Sequence, residues 1–210
     1  MLLTTRHESA KARTGGENAP KMPSPGLEWL WQQLRDVRRP HILDCGAIRQ
    51  STVDVFIRRG SKLYVADLVT PARNGNPKFW NRSKKVPVFL TDDFLAQIPK
   101  VPVGSLSAVF CWHLLDLIPP EAVAPTVERL FSFLQPGGVF FSLLRQPYLA
   151  EGADASCWLD GLKALDFGAS GRKPFAYPVV TNREMERHFP SGSVKIFLTR
   201  LGRREVVALK

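Results

Sequence analysis

Short apolar segments alternate with amphipathic helical segments along most of this chain. The five segments that we predict to be successive strands cover residues 41–44, 62–67, 86–90, 106–112 and 139–144. Strands that alternate with helices form a mostly parallel sheet with helices on both of its faces. The alternation therefore predicts a doubly wound α/β fold.

Helical patterns lie between these strands. Helices are predicted to follow Ser24 and to cover 52–59, 121–134 and 181–189. Ser24 suits the N-cap of the first helix. Thr181 and Glu184 have the spacing of a capping box, in which each residue bonds to the backbone of the other, at the start of the last helix.

The two ends of the chain and one internal segment depart from this alternation. Residues 194–199 and 205–209 predict a terminal hairpin, whose antiparallel edge brings the sheet to seven strands. Residues 1–23 lack apolar periodicity and are predicted to form a disordered basic tail, and residues 24–210 one domain. Residues 145–180 are predicted to be rich in loops, with a short helix at 156–165.

Charge, hydrophobic content and cysteine spacing exclude some classes of protein and favour others. Of the 210 residues, 29 are Lys or Arg and 19 are Asp or Glu, and the net charge of +10 favours polyanionic partners or substrates. The hydrophobic fraction of 44% excludes global disorder, and no apolar segment is long enough to predict a membrane span. The cysteines Cys45, Cys111 and Cys157 are far apart, which favours neither a disulfide scaffold nor a metal site and suits a reducing cytoplasm.

Polar residues stand where the predicted strands end. They are Asp44, Asp67, Asp92, Asp93 and Cys111. In open parallel sheets, ligands bind beyond the carboxyl ends of the strands, at the point where the strand order reverses. The sequence therefore predicts a ligand site at this rim.

The order of the segments resembles the class I S-adenosylmethionine-dependent methyltransferases, a Rossmann-like family, over residues 27–209. That family opens with a strand and an acid-x-Gly-x-Gly-x-Gly turn, and residues 42–50 here read Ile-Leu-Asp-Cys-Gly-Ala-Ile-Arg-Gln. Its fifth strand follows a Leu-x-Pro-Gly-Gly turn, and residues 134–138 read Leu-Gln-Pro-Gly-Gly. This second turn is the most specific part of the resemblance.

The resemblance implies that S-adenosylmethionine is the cofactor and that a methyl group passes to a small-molecule or polyanionic acceptor. Asp67 would hold the ribose hydroxyls, and Asp92 or Asp93 would accept from the adenine amino group. The implied cofactor residues are Asp44, Gly46, Ala47, Asp67, Asp92, Asp93 and Cys111. Alternatively, Asp44 and Asp67 are only polar residues at a solvated rim, and Asp92 and Asp93 cap the next helix.

Two residues depart from the glycine-rich turn of the resembled family. Ile48 and Gln50 stand where its later glycines would be. Ile48 is β-branched, disfavours positive φ, and fills space where the methionine part of the cofactor would lie. The cofactor could therefore have been lost.

His113 is the best single residue for a general base, because in the resembled family the residues after the fourth strand line the substrate pocket. It lies two residues beyond Cys111, and Cys45 is on a neighbouring strand of that topology. The three could form a nucleophile with its base or part of a metal site. The alternative, which we favour, is that both cysteines are small buried residues and His113 is part of a pocket wall.

The loop at residues 78–85 interleaves cations with aromatic rings. Its candidate nucleic-acid-binding residues are Lys78, Trp80, Arg82, Lys84 and Lys85, in which cations would hold phosphates and the ring would stack on a base. The alternative is a solvated loop whose aromatic rings fold back onto the core.

Two functions remain open from the sequence. One is a methyltransferase with an unknown acceptor. The other is a catalytically inactive protein of the same fold that binds nucleic acid or another protein through its basic surface.

Overall fold

The computed structural model describes residues 22–83, 85–146, 155–169, 176–190, 192–199 and 203–210. The predicted tail, apart from its last two residues, lies outside these ranges, as does Lys84. None of the helices in these ranges is long and apolar enough to cross a membrane.

The helices and strands follow one another in the predicted alternation. The strands are β1 (Met22–Pro23), β2 (His41–Asp44), β3 (Lys62–Val65), β4 (Trp80–Asn81), β5 (Val88–Phe89), β6 (Leu106–Trp112), β7 (Leu134–Arg145), β8 (Ala155–Gly161), β9 (Ala164–Ala169), β10 (Val194–Leu198) and β11 (Arg203–Leu209). The α-helices are α1 (Pro25–Gln33), α2 (Gln50–Arg58), α3 (Val69–Arg73), α4 (Thr91–Leu95), α5 (Pro120–Ser132) and α6 (Asn182–Arg187). Short 3-10 turns cover Pro77–Phe79 and Leu114–Asp116.

The central sheet has the strand order β10-β11-β7-β6-β2-β3. The four strands β7, β6, β2 and β3 pair in parallel. The terminal hairpin of β10 and β11 joins β7 in antiparallel orientation. The prediction of a mostly parallel α/β sheet with an antiparallel hairpin at its end is thus confirmed.

The predicted count of seven strands is wrong for the described residues, because the segment 86–90 does not join the central sheet. Only β5 forms there, and it pairs with β4 in a separate two-stranded ribbon. Pro87 has no N–H to donate to a ladder, and of the two β5 residues only Phe89 is buried. The central sheet therefore ends at β3.

Helices cover both faces of the sheet, and aromatic residues fill the layers between. Phe110 of β6 lies with its ring centroid 4.9 Å from Phe56 of α2 and 6.3 Å from Trp31 of α1. On β7, the ring of Phe140 contacts Phe189 at 5.3 Å, and Phe189 in turn contacts Phe131 of α5. These contacts fix α1, α2 and α5 against the strands whose ends form the rim.

The short helix predicted at 156–165 is also wrong. This segment forms the β8–β9 hairpin, which pairs with β1 in a three-stranded sheet. Met22 and Pro23, which the sequence placed in the tail, form that third strand. Leu159 and Leu165 are buried and lie opposite each other in the hairpin. Strand pairing across the chain thus overrides the local pattern.

The caps of two helices match their predictions. Ser24 Oγ accepts from the N–H of Leu27 at the start of α1. Thr181 and Glu184 form the reciprocal capping box of α6. The loop predicted at 78–85 begins with the end of a 3-10 turn and with β4.

Candidate functional site

The carboxyl ends of β2 and β6 bring Asp44 and Trp112 together at the predicted rim. Asp44 ends β2 and Trp112 ends the neighbouring parallel strand β6. The indole N–H of Trp112 donates to Asp44 Oδ1 at 2.5 Å, and the backbone N–H of Gly46 donates to the same oxygen at 3.0 Å. The acid of the glycine-rich turn is therefore bonded within the chain itself.

Asp44 is almost fully buried, with 2% of its surface exposed. Burial raises the pKa of its carboxyl from 3.8 to about 6, while the hydrogen bonds from Gly46 and Trp112 act in the opposite direction. The negative charge of Asp67 raises the pKa of Asp44 further. The Asp44 carboxyl is thus a structural group, and its ionised form is destabilised by burial in the folded state.

Trp112 occupies the space that Gly46 leaves open. A Cβ atom added at Gly46 would lie 2.6 Å from both Cδ1 and Nε1 of the indole. Among the described residues, Trp112 is the one non-glycine residue with positive φ, at +53°. This conformation is strained for a bulky side chain. Ser142 Oγ helps to hold it by donating to the carbonyl of Trp112 at 2.9 Å.

The β8–β9 hairpin covers the same end of the sheet from outside. The N–H of Leu159 donates to Thr52 Oγ1 at 3.1 Å, which fixes the hairpin to α2. The guanidinium of Arg49 stacks 4.7 Å above the ring of Trp158. These contacts place a wall over the turn that precedes α2.

Very little space remains in the cleft at the rim. The cavity at the rim has a volume of about 10 Å³, close to the minimum that one water molecule needs. Its lining consists of Gly46, Ala47, Arg49, Val69, Arg73, Trp112, His113, Ser156 and Cys157. Ile48, which the sequence placed inside the cofactor space, is instead 64% exposed. The cleft is therefore closed by Trp112, which the sequence analysis did not single out.

S-adenosylmethionine, the cofactor that the resemblance implies, does not fit the residues at this rim. Its methionine part would need the space beside Gly46, which holds the indole. Asp67 Oδ1 accepts from the N–H of Thr70 at 2.8 Å, at the start of α3. Asp92 and Asp93 lie exposed in the first turn of α4 and line an open hollow with the end of β5.

Cys45 and Cys111 are neighbours in the sheet. They directly follow Asp44 and Phe110, which are paired in the ladder, and both cysteines are fully buried. Burial raises the pKa of both thiols well above the usual range, so neither forms a thiolate at neutral pH. The structural interpretation of the two cysteines agrees with this burial.

His113 is brought close to a buried acid. Its Nδ1 lies 3.5 Å from Asp116 Oδ2, and only 4% of the histidine is exposed. Asp116 also accepts from the backbone N–H of Arg145 at 2.8 Å. Asp116, a partner that the sequence analysis missed, orients the imidazole. No group of three residues in the described ranges has the composition and arrangement of a metal site.

A larger apolar cavity lies between α5, α6 and the segment before α6. Its volume is about 180 Å³. Leu115, Ile118, Val123 and Val180 form its apolar wall, and His188 lies at its edge. Burial lowers the pKa of His188 below its usual value of 6.5 and so favours the neutral form of its ring.

In the basic loop, the aromatic rings pack inward. Phe79 is buried, and Trp80 is half-buried with its ring 5.2 Å from that of Phe89. Lys78, Arg82 and Lys85 are exposed, and Lys84 lies outside the described residues. This placement agrees with the interpretation in which the rings fold onto the core, while the described cations of the loop stay at the surface.

No family model and no curated protein matches the chain. Solved structures that are similar to it include S-adenosylmethionine-dependent methyltransferases. One is the Burkholderia thailandensis 1,6-didemethyltoxoflavin-N1-methyltransferase with bound 1,6-didemethyltoxoflavin and S-adenosylhomocysteine, which is 16% identical with a TM-score of 0.48 over 89% of this chain and 76% of the other.

Two further methyltransferases of this kind come from Mesorhizobium loti and Archaeoglobus fulgidus. The first is 17% identical with a TM-score of 0.47, over 88% of this chain and 98% of the other. The second is 13% identical with a TM-score of 0.48, over 88% of this chain and 94% of the other. These values assign no role to any residue of this chain.

Proposed function

We propose that this protein is a binding module with a methyltransferase-like fold, which transfers no methyl group because its cofactor cleft is closed. The observation that carries the proposal is the position of Trp112, whose ring lies against Gly46 and whose N–H is bonded to Asp44. A cofactor would have to displace a buried side chain and break its hydrogen bond to a buried carboxyl. The excess of cations over acids supports a polyanionic partner.

A second candidate function is a methyltransferase whose cleft opens when Trp112 turns away. The observations that favour it are the strained φ of Trp112 and the His113–Asp116 pair beside it. In that state His113 could accept a proton from an acceptor molecule, with Asp116 holding the ring. The apolar cavity beyond Leu115 would suit a small-molecule acceptor.

Calorimetric titration with S-adenosylmethionine and S-adenosylhomocysteine tests the proposal. We expect no heat of binding from the folded wild-type protein at millimolar ligand. Micromolar binding to the wild type that disappears in Asp67→Ala would overturn the proposal and place a working nucleoside site at this rim.

Trp112→Ala separates the two candidate functions, with Trp29→Ala as the matched control. Trp29 is half-buried in α1, where Lys195 lies 5.1 Å from its ring centroid. Measurable binding to the wild type and to Trp29→Ala that becomes tighter in Trp112→Ala would favour the second candidate, whereas binding to Trp112→Ala alone would show that Trp112 keeps the native cleft closed. An absence of binding to all three folded proteins supports the binding module.

A further inference from the structure

Four exposed cations meet at the amino ends of β2 and β3, opposite the closed cleft. Arg38 and Arg39 lie in the loop before β2, Arg58 ends α2, and Lys62 begins β3. We call these four residues the basic face. They come from two separate parts of the sequence, and their proximity is a product of the fold.

Backbone contacts hold the two parts of the basic face together. The N–H of Lys62 donates to the carbonyl of Pro40 at 2.9 Å. A Cβ atom added at Gly60 would lie 3.9 Å from the carbonyl oxygen of Arg38. The half-buried Arg59 donates from Nη2 to the carbonyls of Leu34 and Val37 at 3.3 and 3.2 Å, and so ties the end of α2 to the loop after α1.

The charges of the basic face are not neutralised within the described part of the chain. None of the ion pairs there involves Arg38, Arg39, Arg58 or Lys62. The acids nearby have other partners: Asp36 pairs with Arg35, and Asp54 accepts from the side chain of Gln50. The carboxyl ends of α1 and α2 stabilise cations here, since a helix carries partial negative charge at that end.

We infer that the basic face binds the phosphate backbone of a nucleic acid. Four like charges on neighbouring, ordered segments match a polymer that carries one negative charge at each nucleotide. This inference rests on the proposed function in that the protein acts by binding, and it specifies the surface and the class of partner.

The neighbouring side chains favour a nucleic acid over an anionic membrane. The half-buried rings of His41 and Tyr64 lie 6.3 Å apart beside Lys62, whose Nζ is 5.0 Å from the Tyr64 ring centroid. Aromatic rings next to cations suit bases that stack. A peripheral membrane site would need several apolar side chains to enter the lipid, and in the described part of this region Ile57 is the one large apolar side chain that is mostly exposed.

Fluorescence anisotropy with the full chain tests the inference, using a short single-stranded RNA and a short duplex DNA of mixed sequence. The test variant is Arg38→Glu with Arg58→Glu. The control is Lys100→Glu with Arg183→Glu, which reverses two exposed charges outside the basic face and the basic loop and leaves the same net charge as the test variant. Arg59 is left unchanged, because it holds backbone carbonyls.

We expect the test variant to bind at least about tenfold more weakly than the wild type. The affinity of the control should stay within about threefold of the wild-type affinity. Between about 50 and 200 mM salt, the slope of log K against log salt should become shallower by about one for each phosphate that the variant no longer neutralises. Circular dichroism should show that both variants are folded.

Several outcomes would overturn the inference. They are an absence of binding to either nucleic acid at low salt, an equal loss of affinity in the two variants, and a larger loss in the control. Tighter binding of the wild type to phosphatidylserine vesicles than to nucleic acid would do so as well. The cleft titration uses a different ligand and different variants, so binding of S-adenosylmethionine would overturn the proposed function and leave the basic face standing.

Discussion

Trp112 and Asp44 close the cleft together, by an indole N–H that donates to a buried carboxylate oxygen at 2.5 Å. Each residue supplies the hydrogen-bonding partner of the other. The carboxylate gains a donor that partly offsets its burial, and the indole N–H gains an acceptor where water is excluded. The same pair leaves no room beside Gly46, so the stability of the fold and the closure of the cleft are linked.

The first prediction concerns this hydrogen bond. Trp112→Phe keeps a ring over Gly46 but removes the N–H, so that Asp44 loses a donor. We expect the free energy of unfolding to fall by about 1–3 kcal/mol, as measured by urea denaturation at pH 7. In an Asp44→Asn background the same change should cost less, since no buried charge is left with one donor fewer. Equal costs in the two backgrounds would show that the bond does not couple the residues.

Gly46→Ala provides the second prediction. Its new Cβ would lie 2.6 Å from the Trp112 ring, and overpacking of this kind costs about 1–3 kcal/mol. We expect the cost to shrink in a Trp112→Ala background, where the obstructing ring is absent. A Gly46→Ala protein as stable as the wild type would argue that the indole does not lie there.

The third prediction is a dependence of stability on pH. Because the pKa of Asp44 is raised to about 6 from 3.8, the folded state binds a proton more tightly than the unfolded state. The contribution of Asp44 is therefore most favourable below about pH 4 and declines as the pH rises to about 7, by about 3 kcal/mol.

Asp44→Asn measures that contribution, because the amide keeps an acceptor for Trp112 and Gly46 without the charge. The difference in unfolding free energy between the variant and the wild type should grow from pH 4 to pH 7. Burial also raises the pKa of Glu205, but this group is present in both proteins and cancels. A difference that is constant with pH would contradict the raised pKa of Asp44.

The fourth prediction concerns the attachment of α1 to the sheet. Glu205 of β11 is 1% exposed, and its Oε2 accepts from the N–H of Gly26 at 2.6 Å in the first turn of α1. Glu205→Ala removes this acceptor from the helix start, at a cost of about 1–3 kcal/mol. Thermal unfolding and faster amide exchange at Gly26 would report the loss.

Glu28→Ala is the matched control, because it removes a surface acid from the first turn of α1, the turn that Glu205 contacts. Glu28 and its partner Lys163 are both mostly exposed, and pairs of this kind contribute about 0–1 kcal/mol. A similar loss of stability from both variants would mean that general charge, and not the buried hydrogen bond, attaches the helix.

The fold was predictable where local patterns and long-range pairing agree. The segment 106–112 is apolar throughout and forms β6 with the predicted bounds. The segment 156–165 was predicted wrongly, because its strand conformation depends on pairing between β8 and β9 and on the distant β1. The segment 86–90 has apolar residues, but β5 is too short to join the parallel sheet.

The location of the rim was predictable from the sequence, but the closure of its cleft was not. Acids that end consecutive strands identified the carboxyl edge, and Asp44 is there. The departure from the glycine-rich turn indicated an altered cofactor site, although the residue held responsible, Ile48, faces outward and Trp112 fills the space. A tryptophan that ends a strand beside that turn was the signal that could have identified it.

The residue pattern already contained the alternation of strands and helices, the acids at strand ends and the helix caps. These features follow from hydrophobic periodicity and from backbone groups that lie near one another in the chain. The closure of the cleft and the contact of the loop after α1 with the end of α2 were not present in that pattern. Both depend on which side chains neighbouring strands and loops bring together, since a contact such as that between Trp112 and Asp44 exists only once β6 pairs with β2. That pairing joins residues far apart in the chain, and local periodicity does not specify it.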